Sequence, residues 1–200
     1  MIELNLPPPS TELMDAIKYY APIKEPNPLA VQSVPLFKKL NPELENIAIG
    51  IYFGNPVITE IAEREFNHFF PGENFNYSCS VIKNTNPGVP TCLPPHSDKG
   101  RLCGLHFVVD SGGPNVRTVF YDQYRPYTIE DNSTPPRYLP YRELKIKDIY
   151  AINDPKWTCI DTVQYHSVEH IDHDRILFAI SFFELSMFDI KEKYSHLVVN

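Results

Sequence analysis

The sequence predicts a mainly β protein, with a barrel or sandwich core that follows a helical N-terminal lobe. From residue 74 onward, apolar and polar residues alternate with a period of two, and turn residues recur about every 10 to 15 positions without helical patterns between them. The chain also contains 20 prolines, which are disfavoured in helix interiors and central strands. Short strands and long loops are therefore expected over most of the chain.

The composition is typical of a single soluble domain. The 200 residues carry a net charge of -7, which argues against a nucleic-acid groove as the main surface. No apolar run approaches the ~20 residues of a membrane span, and the first ten residues lack the features of a secretory signal. The four cysteines form no CxxC pair, so free thiols, a cytoplasmic location and no membrane contact are expected.

Residues 1–73 are predicted to form a helical and irregular lobe packed outside the core. Ser10 can cap a first helix that Pro22 ends, and residues 23–46 are predicted to be irregular, with a short helix near 35–40. Asn55 is a natural N-cap with Pro56 at the first helical position. Apolar residues at helical spacing follow it, which predicts a second helix that packs on a sheet.

The β-core is predicted to span residues 74–186, with a C-terminal tail at 187–200. The predicted strands are 47–53, 75–83, 102–110, 116–121, 141–153, 159–166 and 175–184. The proline-rich stretch 84–95 is predicted to be a loop. The loop 122–140 is long for a compact domain, and we hypothesise that it closes over the substrate as a lid.

One motif suggests a metal site. His96 and Asp98 stand two residues apart, so on a strand both face the same side. His166 follows 68 residues after Asp98, which leaves room for several strands between them. Two histidines and one carboxylate leave open positions on an octahedral metal, as non-haem Fe(II) oxygenases require. A second pair, His170 and Asp172, lacks a well-separated downstream histidine and is interpreted as a turn.

Arg175 supports this interpretation. It opens the last strong strand, nine residues after His166, and a guanidinium in an otherwise apolar strand is costly unless its charge is met. Its planar fork matches a carboxylate. Leu177, Ala179 and Ser181 share its face of the strand and leave room for a ligand.

This spacing of HxD, histidine and arginine resembles the Fe(II)/2-oxoglutarate-dependent dioxygenases, in particular their prolyl-hydroxylase-like branch. The resemblance implies a double-stranded β-helix (jelly-roll) over residues 74–186. It also implies Fe(II) as the metal and 2-oxoglutarate and O2 as cosubstrates, with release of succinate and CO2, and it allows ascorbate as an auxiliary reductant.

Carried over by position, the resemblance makes His96, Asp98 and His166 the catalytic iron ligands, and Arg175 the partner of the distal carboxylate of 2-oxoglutarate. Many members have a hydroxyl residue two positions after the arginine, where this chain has Leu177. Tyr77 or Ser181 is expected to supply the missing hydrogen bond. His106 and Thr118 are weaker candidates.

The substrate stays open between a protein or peptide side chain and a small molecule, and nucleic acid is disfavoured. Two other functions also stay open. A cupin-like protein could use another metal in a non-oxygenase enzyme, and a non-catalytic binding protein could retain a degenerate site. A buried arginine argues against the first alternative, because a hydrolase or isomerase site does not require one.

Overall fold

The computed structural model describes residues 1–22, 28–86, 88–98, 100–124, 137–151 and 154–199. Its helices are α1 (Thr11–Tyr20), α2 (Pro28–Leu40), α3 (Pro56–Phe66) and α4 (Met187–Lys193). Its strands are β1 (Ile2–Leu4), β2 (Ile49–Phe53), β3 (Phe75–Lys83), β4 (Thr91–Ser97), β5 (Cys103–Asp110), β6 (Arg117–Tyr124), β7 (Arg137–Tyr138), β8 (Ile146–Tyr150), β9 (Trp157–Asp161), β10 (Gln164–Ile171) and β11 (Arg175–Phe182).

The strands form two antiparallel sheets. The larger sheet has the order β1-β9-β5-β11-β3-β2, and the smaller has the order β7-β4-β10-β6-β8. β11 lies at the centre of the larger sheet and pairs along its whole length with β3 and from Ile176 onward with β5. The mainly β class predicted from the sequence is confirmed, while the finer jelly-roll assignment stays a prediction.

The two faces of the larger sheet have different chemistry. Its outer face carries apolar and aromatic side chains such as Leu105, Trp157 and Phe178, which belong to the main hydrophobic core. Its inner face lines a cavity between the sheets with polar side chains that include His106 and Thr158. Because successive residues of a strand point to opposite faces, each strand serves the core and the cavity at once.

Helices α1 and α3 cover the outer face, as the capping signals predict. The Ser10 side chain accepts a hydrogen bond from the Leu13 amide at the start of α1. Asn55 accepts from the first amides of α3, with Pro56 at the N-terminal position. Ser10 also donates to Glu65, which ties the two helices together.

Several segments differ from the sequence prediction. In the predicted strand 141–153, residues Tyr141–Glu143 form a 3-10 turn and the strand β8 covers only Ile146–Tyr150. Residues 91–97 form strand β4 rather than part of a loop, and register shifts in its pairing with β10 accommodate the prolines. The stretch 159–166 is divided between β9 and β10, because a turn at residues 162–163 separates them. Helix α2 is longer than the short helix expected, since Pro35 lies inside it without ending it.

The C-terminal stretch 187–200 contains α4, which begins with a capping box between Ser186 and Asp189. Ile190, Tyr194 and Leu197 are buried in the main core, so this stretch packs onto the domain. The proposed lid, 122–140, falls mainly on residues 125–136, which lie outside the described residues. No helix in the described part of the chain is long and apolar enough to cross a bilayer.

Phe178 is expected to be a main determinant of stability. It is fully buried, and its ring lies 5.8 Å from that of Trp157 and 6.0 Å from that of Tyr77. Replacing Phe178 with alanine should lower the free energy of unfolding by roughly 3–5 kcal/mol, because it leaves a cavity in a packed core. Urea unfolding measures the change. Phe188→Ala is the control, since that ring is 71% exposed and should change stability little; equal effects of the two would contradict the assignment of the core.

Candidate metal centre

Three side chains predicted as metal ligands come together between the two sheets. His96 lies near the end of β4, Asp98 follows directly after that strand, and His166 lies on the neighbouring strand β10. His96 and His166 are partners in the register of these strands, and their ring centroids are 4.5 Å apart. The strand pairing itself therefore places residues 70 positions apart side by side.

The geometry of the three groups suits a metal ion. One ligand atom from each residue lies within 4.8 Å of the others, and all three residues are buried. The Asp98 Oδ1 atom is 3.7 Å from His96 Nε2, and its Oδ2 atom is 4.0 Å from His166 Nε2. Metal–ligand bonds of roughly 2 Å bridge such separations after small side-chain rotations.

The tautomers of both histidines favour metal binding. His96 Nδ1 lies 2.8 Å from the Pro94 carbonyl oxygen, and His166 Nδ1 lies 2.9 Å from the Gln164 carbonyl oxygen. A carbonyl oxygen only accepts hydrogen bonds, so each Nδ1 must carry the proton. Each Nε2 atom is then left with a lone pair directed toward Asp98, which is the usual arrangement of a metal-binding imidazole.

The charge states are those of a ligand set. Burial, with the neighbouring His166 as the next cause, lowers the pKa of His96 to about 4, so its imidazole is neutral at physiological pH. Burial alone would raise the pKa of Asp98, but Arg101 and the two imidazoles outweigh it and hold that pKa below its usual value. A deprotonated carboxylate and a neutral imidazole are the forms that bind metals.

Arg175 lies in the wall of the same cavity. Its side chain is buried, and its Nη1 atom donates to the Ser111 carbonyl oxygen at 3.0 Å. Gly112 lies against it, since a Cβ atom at Gly112 would lie only 2.8 Å from the Arg175 Cβ. Burial lowers the pKa of Arg175 to about 10, so the guanidinium still carries its charge at neutral pH.

The cavity joins the histidines to Arg175. Its walls are lined by Tyr52, Ser80, Ile82, Leu93, His96, His106, Thr118, Thr158, Ile160, His166, Val168, Arg175 and Leu177. Hydroxyl and imidazole groups on apolar walls are typical of a site for a small polar ligand.

The donor set fits a first-row divalent metal. Two imidazoles and one carboxylate on one side leave further coordination positions for other ligands, an arrangement suited to Fe(II). His96, Asp98 and His166 could therefore hold such an ion.

Two predicted cosubstrate residues are not brought to the Arg175 end of the cavity. Tyr77 lies on the outer face of β3, stacked on Phe178, and its hydroxyl donates to Asn67 at 2.9 Å. Ser181 does share the inner face with Arg175, but six residues of extended strand separate them by about 20 Å. Ser181 instead accepts a hydrogen bond from Arg101 at 2.8 Å.

The sequence prediction missed the residues around Asp98. Arg101 is buried, and its Nη2 atom lies 2.7 Å from Asp98 Oδ2. Tyr52 also lines the cavity, and its ring centroid lies 5.1 Å from the Arg101 guanidinium carbon. Side chains alternate between the two faces of β2, which puts Tyr52 on the cavity side. This alternation was the sequence signal for Tyr52 as a cavity residue.

No model of a known protein family matches the sequence, and no curated protein sequence matches it. Similar solved structures include an oxidoreductase of the 2OG-Fe(II) oxygenase family from Burkholderia pseudomallei, at 9% identity over 93% of this chain and 98% of that chain, with a TM-score of 0.37. Hydroquinone 1,2-dioxygenase PnpCD matches at 11% identity over 64% and 69%, with a TM-score of 0.35. Cellulomonas parahominis L-ribose isomerase matches at 12% identity over 87% and 84%, with a TM-score of 0.38. At these TM-scores the similarities carry no information on what this chain binds or catalyses.

The buried His106 should make the metal-free protein sensitive to acid. Burial, reinforced by Arg101, lowers the pKa of His106 to about 3, against about 6.5 in an unfolded chain. The unfolded state thus binds one more proton between these values, so the stability present above pH 6.5 is lost as pH falls toward 3. In urea unfolding with a chelator present, His106→Gln should reduce the slope of stability against pH by up to about 1.4 kcal/mol per pH unit. An unchanged slope would contradict a neutral, buried His106.

Proposed function

We propose that this protein is an Fe(II)- and 2-oxoglutarate-dependent oxygenase that hydroxylates its substrate with release of succinate and CO2. The observation that carries the proposal is the cavity shared by a buried His96–Asp98–His166 group and the buried guanidinium of Arg175. A metal site alone is compatible with many reactions. A buried arginine beside it supports a ligand that both chelates the metal and carries a second carboxylate.

In this proposal, the chain's own residues position and neutralise the reactants. His96, Asp98 and His166 would hold the metal on one side, which leaves the cavity side open. Fe(II) and the 2-oxo acid would supply the oxygen chemistry when bound. The apolar side chains of Leu93, Val168 and other cavity residues exclude water around the metal, which strengthens every charge interaction inside.

Arg175 would bind the carboxylate farthest from the metal. A guanidinium buried in this way has lost much of its hydration. A carboxylate that accepts two parallel hydrogen bonds from it would replace the lost contacts with water. Since Leu177 cannot donate a hydrogen bond, the additional donor must come from other cavity residues. Ser80, Thr118, Thr158 and His106 line the same space and replace Tyr77 and Ser181 as candidates.

The primary substrate is proposed to be a protein or peptide side chain, with a small molecule as the alternative. The net charge of -7 disfavours nucleic acid. Cys79, Cys92, Cys103 and Cys159 are all buried free thiols, which fits the proposed reducing cytoplasm. Ascorbate would act only as an auxiliary reductant.

The proposal is tested with metal-free protein titrated anaerobically with Fe(II) and then with 2-oxoglutarate. Chelation of the metal by the 2-oxo acid should give a visible charge-transfer band, and admission of O2 should convert 2-oxoglutarate to succinate even without a substrate. His166→Ala should abolish both signals, because one of three ligands is lost. His196→Ala, an exposed histidine outside the group, is the matched control and should retain both.

Arg175→Lys separates the roles of metal and cosubstrate residues. It keeps the positive charge but loses the fork, so half-saturation by 2-oxoglutarate should require roughly 10- to 100-fold more ligand, with Fe(II) affinity unchanged. Metal binding without any band or succinate in the unaltered protein would point to a cupin-like, non-oxygenase metal protein. Failure to bind metal at all would favour the non-catalytic alternative.

Gly112 provides a more specific test of the Arg175 end. It has φ +81°, and an added Cβ would lie 2.8 Å from the Arg175 Cβ and 3.1 Å from a backbone oxygen. Gly112→Ala should therefore displace Arg175 and weaken 2-oxoglutarate binding by about ten-fold or more, with metal affinity retained. Calorimetric titration of the Mn²⁺-loaded protein measures both.

The control for this variant is Gly72→Ala. Gly72 has φ +79° and nothing within 4 Å of its added Cβ, so it carries the same backbone strain without a contact in the cavity. If the two variants weaken 2-oxoglutarate binding equally, the role assigned to Arg175 is wrong.

A further inference from the structure

The two oxygens of the Asp98 carboxylate have different neighbours. Its Oδ2 atom accepts hydrogen bonds from Arg101 Nη2 at 2.7 Å and from Nε at 3.2 Å. Its Oδ1 atom lies 3.5 Å from the Tyr52 hydroxyl and 3.7 Å from His96 Nε2. Oδ1 is therefore the oxygen that is more available to a metal, while Oδ2 is held by the arginine.

Arg101 is itself fixed from several directions. Its Nη1 atom donates to Ser181 Oγ at 2.8 Å on β11, and its Nη2 atom lies 3.4 Å from the Tyr52 hydroxyl on β2. Both Arg101 and Asp98 are only 7% exposed. The guanidinium cannot swing away into solvent without breaking these contacts, so its charge stays beside the metal site whether or not an ion is bound.

This arrangement has a consequence for the charge of the site. Without a metal, the single negative charge of Asp98 is already balanced by Arg101. A divalent cation that joins the three ligands would add two positive charges next to a guanidinium, separated from it by one carboxylate group. Arg175 adds a further positive charge in the same cavity.

We propose that Arg101 is a positioning residue that makes metal retention depend on an anionic co-ligand. It holds the Oδ2 atom of Asp98 and turns the Oδ1 atom toward His96, and its fixed charge weakens binding of the metal alone. A dianionic ligand that enters the cavity offsets the excess positive charge and tightens metal binding. The inference rests on the metal site of the proposed function and adds the requirement that metal and dianion bind cooperatively.

A purely structural role for Arg101 makes the opposite prediction. If the arginine only orients Asp98, removing it should weaken metal binding, because the ligand loses its fixed orientation. If its charge dominates, removing that charge should strengthen binding of the metal alone. Repulsion between charges this close changes a binding constant by about ten-fold even with the screening of bulk water.

The test is Mn²⁺ titration of metal-free protein, followed by the electron paramagnetic resonance signal of free Mn²⁺, with and without 2-oxoglutarate. Arg101→Gln keeps hydrogen-bond donors near Asp98 but removes the charge. It should bind Mn²⁺ alone about ten-fold or more tightly than the unaltered protein does. In Arg101→Gln, 2-oxoglutarate should tighten Mn²⁺ binding by a smaller factor than it does in the unaltered protein. By thermodynamic reciprocity, Mn²⁺ must tighten 2-oxoglutarate binding in each protein by that same factor.

Arg101→Lys retains the charge without the fork, so Mn²⁺ affinity should stay within about three-fold of the unaltered protein if charge dominates. Arg117→Gln is the matched control, since Arg117 forms its ion pair with Glu169 at 2.8 Å, outside the metal ligands. Equal or weaker Mn²⁺ binding by Arg101→Gln would overturn the inference. Absence of Mn²⁺ binding by the unaltered protein both with and without 2-oxoglutarate would instead overturn the proposed function.

Arg101→Gln leaves Asp98 buried without its counter-charge, so the variant is expected to be less stable than the unaltered protein in the absence of metal. Its refolding yield with and without Mn²⁺ then replaces the titration as the measurement. Yield restored by Mn²⁺ to that of the unaltered protein supports the inference, because the cation has taken the place of the guanidinium. Yield equally low with Mn²⁺ contradicts it.

Discussion

A carboxylate buried among a guanidinium and two imidazoles is the interaction on which the site depends. An isolated buried charge is strongly unfavourable, so the position of Asp98 is acceptable only because Arg101 lies 2.7 Å away. Arg101 in turn requires its hydrogen bond to Ser181 on the central strand of the larger sheet. The smaller sheet, which carries the three candidate ligands, is thereby joined to the larger sheet at the candidate metal centre.

The strands of the larger sheet perform two tasks because their side chains alternate. In β11, Phe178 and Ile180 belong to the outer core, whereas Arg175 and Leu177 line the cavity. The aromatic cluster beneath α1 and α3 stabilises this sheet from outside, so polar groups can occupy the inner face. Apolar packing on the outer face therefore contributes the stability that offsets the free-energy cost of burying charged groups on the inner face.

The parts of this arrangement that depend on residues close together in the sequence could be predicted. The Asn55 cap, the two-residue spacing of His96 and Asp98 and the strand that Arg175 opens all follow from short-range patterns. Strand β4 was missed because its prolines argue against a strand, and only the register shifts in its pairing make room for them. Tyr77 was assigned to the wrong face of β3. Alternation shows which residues share a face, but the sequence alone does not show which face points into the cavity. Arg101 was not recognised because its ion pair with Asp98, three positions earlier, does not follow from the two-residue period of a strand.

The pairing of His96 with His166 has a mechanical consequence. A metal held by both would act as a removable cross-link between strands that are 70 residues apart. Because the three side chains converge only in the folded chain, the ion would stabilise the fold through its binding free energy, and the link would form and break with the supply of the ion. The smaller sheet, whose β4 ladder is interrupted by prolines, would gain most of this stiffening. The supply of that ion would in this way control how long the folded protein survives.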